Sequence, residues 1–282
     1  MPELPEVESL RRILARSLVG RTIVSARVVE KRLRRAVAED FAAHVASHRI
    51  VRLRRRAKYL IIELDGAHPE GTAAMIVHLG MSGSLTHRDN GFDDAGFDPR
   101  HDHVEFELDD HSRLVYNDPR RFGLIRLVQA GALDAAPELK GLGPEPLSAA
   151  FNADYLTRVA HGRHAAIKNL IMDQGVVAGI GNIYASEILF RAGVRPTRRA
   201  ARVSRRELER IVAATAPILR AAIGSRGTTF RSYRDSRGRP GGFAPRLMVY
   251  GREGEPCRVC GSAIRAVVVG QRASFYCPKC QR

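Results

Sequence analysis

The sequence lacks several features that define whole classes of proteins. It has no tryptophan, no apolar run near the roughly 18 residues that can cross a membrane, and no apolar stretch at its N-terminus that could serve as a secretory signal. These absences predict a cytoplasmic protein without a transmembrane helix. Cysteine is absent from the first 256 residues, and all four cysteines lie in the last 26. This clustering favours a metal site in a reducing compartment over disulfides.

Acidic residues are also scarce relative to basic ones. The 46 Lys and Arg residues exceed the 30 Asp and Glu residues by 16, and the sequence pI is about 10.6. The arginines occur in many segments and do not form one tail, so we expect a folded basic surface that faces a polyanion, most simply nucleic acid. A basic membrane-surface protein is less favoured, because no Lys-rich amphipathic helix with Trp or Phe anchors is visible.

Hydrophobic periodicity divides the chain into a β-rich part and a helical part. In residues 1–130, one helical pattern is followed by a series of strand patterns, one of which covers 53–64. This order predicts a β-sandwich or barrel with one leading helix. From residue 149 onward the period is helical, and 204–223 is the clearest helix, with Ser204 and Glu207 as its capping box. Segment 137–147 is a candidate linker, and 225–242 reads as a basic loop.

The four cysteines carry the strongest motif. Cys257-x-x-Cys260, a 16-residue spacer and Cys277-x-x-Cys280 have the spacing of a tetrahedral zinc site. Four thiolates close the coordination sphere, so one structural zinc ion is expected, with no catalytic role. Two strand patterns between the pairs flank Gly270-Gln271, a predicted hairpin turn, which places Arg272 near the tip of the hairpin. For that arginine alone, a solvated surface residue is the simpler interpretation.

The N-terminus is unusual because Pro2 is followed by Glu3. If Met1 is removed, Pro2 presents a secondary amine, and an α-amino group with a pKa near ~8 is partly neutral at pH 7. A neutral amine can attack an electrophilic carbon and form a Schiff base, with Glu3 as a proton shuttle. The alternative is that Pro5 simply begins a helix whose first turn is acidic.

Two further segments offer cations to a ligand. Gly179 and Gly181 precede a helix, where backbone N–H groups can approach a phosphate, and Lys168 on the preceding helix could add charge. A glycine turn for close helix packing explains the same pattern equally well. Lys58 begins an apolar pattern and could point into a cleft, although a run of charges is more often a solvated face.

Two loops offer apolar residues that could enter DNA. Phe122 lies beside Arg120 in a turn, and an aromatic ring next to arginine can wedge between bases. Met81 lies at the tip of a glycine-flanked loop. In each case the alternative is a side chain that packs into the protein core.

Six of these segments, taken together, resemble bacterial formamidopyrimidine-DNA glycosylases of the Fpg/Nei family. They occur in the family's order and span nearly the whole chain: 2–8, 56–60, 78–85, 118–123, 179–187 and 271–281. The resemblance implies an α+β multidomain fold with an N-terminal β-sandwich at 1–135, a helix–two-turn–helix domain at 148–235 and a zinc finger at 246–282. It implies a monomer that acts on double-stranded DNA containing oxidised bases or abasic sites, at the bacterial nucleoid, and that binds no membrane.

The resemblance also implies a chemistry and a set of residue roles. Such enzymes excise oxidised purines, among them 8-oxoguanine and formamidopyrimidines, and then cut the strand by β,δ-elimination. Pro2 would be the nucleophile, Glu3 the acid/base group, Lys58 a proton donor in β-elimination, and Arg272 a phosphate ligand that serves δ-elimination. The implied DNA contacts are Met81, His101, Arg120, Phe122, Arg163, Lys168 and Asn182, with Met81, Arg120 and Phe122 filling the gap left by the flipped nucleotide.

Two departures from the family pattern are visible. The basic run expected before Lys168 is here His161-Gly162-Arg163-His164, with one firm cation, and the connection 89–100 is longer than usual. Two other functions stay open: an endonuclease VIII-like enzyme for oxidised pyrimidines, and a non-enzymatic zinc-finger protein that binds lesions. Leu4 and loop 225–242 favour the purine type, while Pro2, Glu3 and Lys58 are residues that a mere binder does not need.

Overall fold

The computed structural model of the chain describes residues 1–65, 72–92, 96–229 and 234–282. The chain forms two compact units, Met1–Lys140 with Ile223–Gly242, and Gly141–Ala222 with Phe243–Arg282. The three domain boundaries inferred from sequence stay predictions. In the described part of the chain, no helix combines the length and the apolar character that a membrane span requires.

The first unit is a β-sandwich with a leading helix, as predicted. Helix α1 is Leu4–Leu18 and a short helix α2 is Phe41–Val45. One antiparallel sheet has the order β1-β6-β7-β5 and the other has the order β2-β3-β4-β8. The strands are β1 Ile23–Val28, β2 Arg49–Arg56, β3 Tyr59–Asp65, β4 Ala73–His78, β5 Ser84–Arg88, β6 Asp102–Leu108, β7 Arg113–Asn117 and β8 Leu124–Gln129.

A single apolar core joins helix α1 to both sheets. Val7, Leu10, Leu14 and Leu18 recur at helical spacing, and each is at most 1% exposed within that core. Burial of this stripe fixes the helix against the sandwich, because apolar area removed from water stabilises by about 25 cal/mol per Å². The N-terminus of the chain is therefore held by a rigid element.

The sequence-based prediction of one strand over 53–64 is wrong. The chain turns back at Ala57 and Lys58, so that Arg56 pairs with Tyr59 and the segment forms the β2–β3 hairpin. Ala57 has φ 53°, a left-handed conformation that alanine rarely adopts. Strand β5 and helix α2 were also not predicted. Lys58 accordingly lies in a two-residue turn and not at the start of a continuous strand.

The second unit is helical and ends in a hairpin. Its helices are α3 Ala153–Ala160, α4 Ile167–Met172, α5 Asn182–Ala192 and most of α6 Arg205–Gly224, and its strands are β9 Arg265–Val269 and β10 Arg272–Tyr276. The Ser204 amide and hydroxyl both donate to the Glu207 carboxylate at 2.8 Å, which caps α6 as the sequence predicts. Gly270 and Gln271 both have positive φ, as a tight type I′ hairpin turn requires.

Candidate active site and DNA-binding loops

The start of the chain is held by the first turn of α1. Pro2 and Glu3 are buried, and the Glu3 N–H donates to Glu6 Oε2 at 2.8 Å. Burial lowers the pKa of the Met1 amine below its usual value; Glu3 and Glu6 oppose that change, whereas Lys58 and Arg120 add to it. The N-terminal amine, Lys58 and Arg120 thus share one electrostatic neighbourhood.

Glu6 connects this N-terminus to the loop that follows α6. Its second oxygen, Oε1, accepts the Thr228 N–H at 2.7 Å, so the two oxygens serve two backbone donors, and the Thr228 bond spans 222 positions of the chain. Glu6 is only 2% exposed. Gly227 permits the approach, since a Cβ there would lie 2.8 Å from Glu6 Cγ and its φ is +81°. Charge-assisted hydrogen bonds of this kind are about twice as strong as neutral ones.

Lys58 is positioned by a chain of ionic contacts that begins on α1. Glu8 binds Arg11 and Arg12 on its own helix and Arg55 on β2, at 2.8, 2.8 and 3.3 Å. Burial opposes ionisation of Glu8, yet the hydrogen bonds from these helix arginines lower its pKa to about 2. Arg55 Nη1 then donates to the Ala57 carbonyl at 3.0 Å. The turn that carries Lys58, itself 5% exposed, is fixed to the same helix that presents Pro2.

Asp118 joins the two loops that carry the candidate wedge residues. Its buried carboxylate accepts the Ser82 hydroxyl at 2.7 Å from one loop, and the Gly123 N–H at 2.8 Å and the Arg120 N–H at 3.3 Å from the other. The loops also meet through their backbones, because a Cβ at Gly80 would lie 2.5 Å from Gly123 N. Both loops therefore form one structural element.

The wedge candidates are exposed on this element and do not pack into the core. Met81 is 43% and Phe122 47% exposed, and the Arg120 guanidinium lies 4.6 Å from the centroid of the Phe122 ring. Exposed large apolar side chains beside a cation are costly in water and suit insertion into a base stack. His101 is tied to the same element: its carbonyl accepts the Asp118 N–H at 3.0 Å, and its side chain is half-buried.

His78 supports the Met81 loop in its neutral form. Its Nδ1 accepts the Gly80 N–H at 3.0 Å, so this nitrogen carries no proton. Burial, with the nearby charges of Lys58 and Arg34, lowers the pKa of His78 to about 4. The residue acts here as a fixed acceptor over the neutral pH range.

In the second unit, the Lys168 ammonium group is buried and forms hydrogen bonds with other protein groups. It is fully buried, and its Nζ donates to Asn182 Oδ1 at 2.6 Å, Ser274 Oγ at 2.5 Å and the Ala273 carbonyl at 3.3 Å. These contacts join α4, the first residue of α5 and strand β10. Asn182 Nδ2 also donates to the Ala273 carbonyl at 3.0 Å. Both residues thereby position the hairpin strand that begins at Arg272.

Arg272 and Arg163 present their side chains to solvent. Arg272 directly follows the hairpin turn and is exposed. Asn169 on α4 packs against that turn, since a Cβ at Gly270 would lie 2.5 Å from Asn169 Oδ1. Arg163 is exposed together with His161 and His164. Both arginines are therefore available to an anionic ligand.

The four cysteines form one cluster whose dimensions suit zinc. All four Sγ atoms lie within 4.8 Å of one another, with 3.9 Å between Cys257 and Cys280 and 3.4 Å between Cys260 and Cys277. A tetrahedral ion at about 2.3 Å from each sulfur places the sulfurs about 3.8 Å apart. Gln281 supports the cluster by accepting the Cys277 N–H at 2.9 Å and donating to the Val194 carbonyl at 2.8 Å. The residues fit a structural zinc ion.

Sequence reasoning missed Glu6 and Asp118. Glu6 lies three residues after Glu3, the spacing of a capping box, and this was the available signal. Asp118 precedes a proline in a turn, where aspartate is so common that its buried position was not evident.

A β-sandwich with a leading helix and buried Pro2 and Glu3, followed along the chain by a helical unit with a four-thiolate hairpin, defines a class of zinc-finger proteins. Three family models match the chain: the formamidopyrimidine-DNA glycosylase N-terminal domain over residues 1–125, its H2TH domain over 142–234, and the zinc finger found in FPG and IleRS over 254–282. The chain belongs to the formamidopyrimidine-DNA glycosylase family. The resemblance, the fold class and the zinc finger inferred from sequence are confirmed.

Curated relatives and solved structures agree with this assignment. The formamidopyrimidine-DNA glycosylase of Methylococcus capsulatus is 48% identical over 283 residues, and that of Halorhodospira halophila is 46% identical over 282, each with both chains fully covered. The MutM (Fpg) protein of Thermus thermophilus superposes with a TM-score of 0.85 at 36% identity, covering 99% of this chain and 98% of that one. A Lactococcus lactis FPG mutant, solved in complex with Fapy-dG-containing DNA, gives 0.89 at 30% identity over all of both chains.

Proposed function

We propose that this protein is a bifunctional DNA glycosylase and abasic-site lyase of base excision repair that removes oxidised purines. The observation that carries the proposal is the fixed N-terminus: Pro2 and Glu3 are buried, Glu6 accepts the Glu3 N–H, and Lys58 and Arg120 help to lower the pKa of the amine of Met1, the residue before Pro2. A DNA-binding protein without catalysis has no need to hold its terminal amine beside a buried lysine. The relatives in the family carry the glycosylase name, and the Lactococcus lactis protein binds Fapy-dG-containing DNA.

In the proposed reaction, Pro2 is the nucleophile once Met1 has been removed. The neutral Pro2 nitrogen forms a bond to C1′ of the damaged nucleotide, and the bond from C1′ to the base breaks as the base leaves with a proton. Burial favours the neutral amine, because it penalises the charged form. Glu3 transfers protons as the sugar ring opens and an iminium ion forms at C1′.

Strand cleavage follows from the acidity of the carbon next to the iminium ion. Loss of a C2′ proton expels the 3′-phosphate in β-elimination, and a second elimination expels the 5′-phosphate. Lys58 serves as proton donor in the first elimination, and Arg272 holds a phosphate and serves the second. Hydrolysis of the final iminium ion by water releases Pro2.

DNA is bound as a duplex with the damaged nucleotide turned out of the stack, because C1′ is inaccessible inside it. Met81, Arg120 and Phe122 fill the resulting gap, and His101, Arg163, Lys168 and Asn182 contribute to DNA binding, Lys168 through its effect on the hairpin. Loop 225–242, bound to Glu6 through Thr228, closes over the extruded base. The zinc ion stabilises the hairpin that carries Arg272. In this proposal the protein acts as a monomer at the nucleoid and does not bind a membrane.

Borohydride trapping on a duplex with 8-oxoguanine opposite cytosine tests the mechanism. Reduction of the iminium ion should leave a covalent protein–DNA complex with the processed wild type, and much less of it with Pro2→Gly or with a chain that retains Met1, whose terminal amines are primary and differently placed. If Pro2→Gly traps DNA as efficiently as the wild type, Pro2 is not the nucleophile. Preferential trapping on oxidised pyrimidines would indicate the endonuclease VIII-like activity, and tight lesion binding without any trapping would indicate a non-enzymatic binder.

A further inference from the structure

The connection 89–100 begins at a buried arginine that anchors both of its ends. Arg88 is 9% exposed and binds Asp102 through two hydrogen bonds, at 2.7 and 2.9 Å. Asn117 donates to the same Asp102 carboxylate at 2.7 Å and to the Asp98 carbonyl at 2.9 Å. The ends of the connection are therefore joined to strands β5, β6 and β7 through one satisfied polar cluster.

Two phenylalanines bring the described part of the connection back onto this arginine. The Arg88 guanidinium lies 5.5 Å from the Phe92 ring centroid and 5.8 Å from that of Phe97, and the two rings are 5.7 Å apart. Cation–π contacts with a desolvated arginine are among the stronger ones. These contacts hold Phe92 and Phe97 against the sandwich, although the composition of the connection alone suggests a solvated loop.

The far turn of loop 225–242 rests on this connection. A Cβ at Gly96 would lie 2.8 Å from Arg234 Nη2, which shows how closely the glycine approaches the guanidinium. Arg234 Nη1 in turn donates to the Gly238 carbonyl at 2.8 Å, and the Ser236 carbonyl accepts the His87 N–H at 3.1 Å. The turn itself is preformed, because the Asp235 carboxylate accepts the Arg237 and Arg239 amides at 2.9 and 3.0 Å.

We infer that the described residues of connection 89–100 are a brace that positions the turn 234–240 of loop 225–242 over the extruded base, and that Gly96, Phe92 and Phe97 are positioning residues for lesion recognition. Loop 225–242 is then held at two places, at its start by Glu6 and at its far turn by Gly96 and His87. The inference rests on the proposed function. It implies that loss of the brace slows base release, whereas cleavage at an existing abasic site, where no base has to be enclosed, is unaffected.

Two substitutions with matched controls test the brace. Gly96→Ala places a methyl group against Arg234 and should break its bond to Gly238. Gly20→Ala is the control for backbone strain, since Gly20 has nearly the same φ, +92° against +93°, and no atom within 4 Å of its Cβ position. Phe97→Ala removes one ring from Arg88, and Phe97→Tyr keeps it.

Single-turnover base release from an 8-oxoguanine duplex is compared with strand cleavage at a preformed abasic site, and amide hydrogen exchange is followed at Gly238 and Arg239. Gly96→Ala and Phe97→Ala should release the base about fivefold more slowly, the ratio expected for one lost hydrogen bond, with abasic cleavage changed less than about twofold. In both variants the amides of Gly238 and Arg239 should exchange faster than in the wild type. Gly20→Ala and Phe97→Tyr should behave as the wild type in all three measurements.

Equal slowing of both reactions, or unchanged exchange in Gly96→Ala, would overturn the brace. Failure of the proposed function is a separate result: the wild type would then release no oxidised purine. The exchange measurement, which requires no substrate, would still decide whether connection 89–100 holds the turn at 234–240.

Discussion

Replacing Asp118 with asparagine should separate the two loops that the structure joins. The asparagine oxygen can retain the Gly123 N–H, and the Ser82 hydroxyl can rotate to accept from the new amide. The Arg120 N–H then faces an NH₂ group and loses its acceptor. Arg120 is exposed and this bond is long, at 3.3 Å, so its loss costs about 1 kcal/mol, the low end for a donor without a partner, and weakening one charge-assisted bond to a neutral one costs about 1 kcal/mol more. We therefore expect a loss of about 2 kcal/mol in the stability of the first unit.

The functional cost of Asp118→Asn should fall on lesion binding. Met81, Arg120 and Phe122 would no longer be held in one arrangement, so part of the ordering must occur on the DNA. If about 1.4 kcal/mol of the lost energy is recovered only on binding, affinity for a duplex with an abasic-site analogue falls about tenfold. Affinity for undamaged duplex, which depends on phosphate contacts, should be nearly unchanged.

Fluorescence anisotropy with the two duplexes measures this difference, and thermal unfolding measures the stability. Asp110→Asn is the matched control, because Asp110 also accepts a serine hydroxyl and its amide, at 2.6 and 3.1 Å from Ser112, but lies in the β6–β7 turn and not in either wedge loop. If Asp118→Asn is destabilised yet binds the abasic analogue as tightly as Asp110→Asn, the carboxylate stabilises the fold without organising the wedge residues.

Four other substitutions have defined outcomes. Cys277→Ser should lose zinc and DNA binding together, by metal analysis and a gel-shift assay; full affinity without metal would show that the finger is dispensable for binding. Affinity should fall steeply with salt, and Arg163→Ala should reduce the slope of log K against log salt by about 1. Lys168→Met, which removes a buried charge, should weaken binding without changing that slope, whereas a reduced slope would mean that Lys168 contacts phosphate. His78 has a folded pKa of about 4, below its unfolded value near 6.5, so the stability that its neutral form contributes is lost as pH falls from 6.5 through 4, up to about 3 kcal/mol. His78→Asn, which keeps an acceptor for Gly80, should show a smaller loss over this range by denaturant titration, and an equal loss would contradict the assignment.

Features set by local chemistry were predictable from the sequence. The cysteine spacing predicted the metal cluster, Gly270-Gln271 predicted the hairpin turn before Arg272, and Ser204 with Glu207 predicted the start of α6. Each depends on residues close together in the chain, where spacing alone restricts the geometry.

Features that depend on distant partners were not predictable in the same way. The turn at Ala57 contains no glycine, proline or asparagine. It is stabilised by Arg55, which donates a hydrogen bond to the Ala57 carbonyl and is itself bound by Glu8 on α1. The pairing of Glu6 with Thr228 spans 222 positions, and no local pattern reports it. The full burial of Lys168 likewise follows from β10 packing onto α4 and α5, so its sequence context suggested a cation that adds charge to a phosphate site.

The use of backbone donors at Glu6 has a consequence for how such a protein can change over generations. Glu3 and Thr228 each offer an amide N–H to the carboxylate, and any residue except proline has that group. Substitutions at position 228 other than proline therefore leave the attachment of this loop to the N-terminus intact. Position 6 has no such freedom, because only a carboxylate of this length satisfies both donors. If the loop covers the extruded base as proposed, its residues can change with the lesion that is bound while the residue that anchors it cannot.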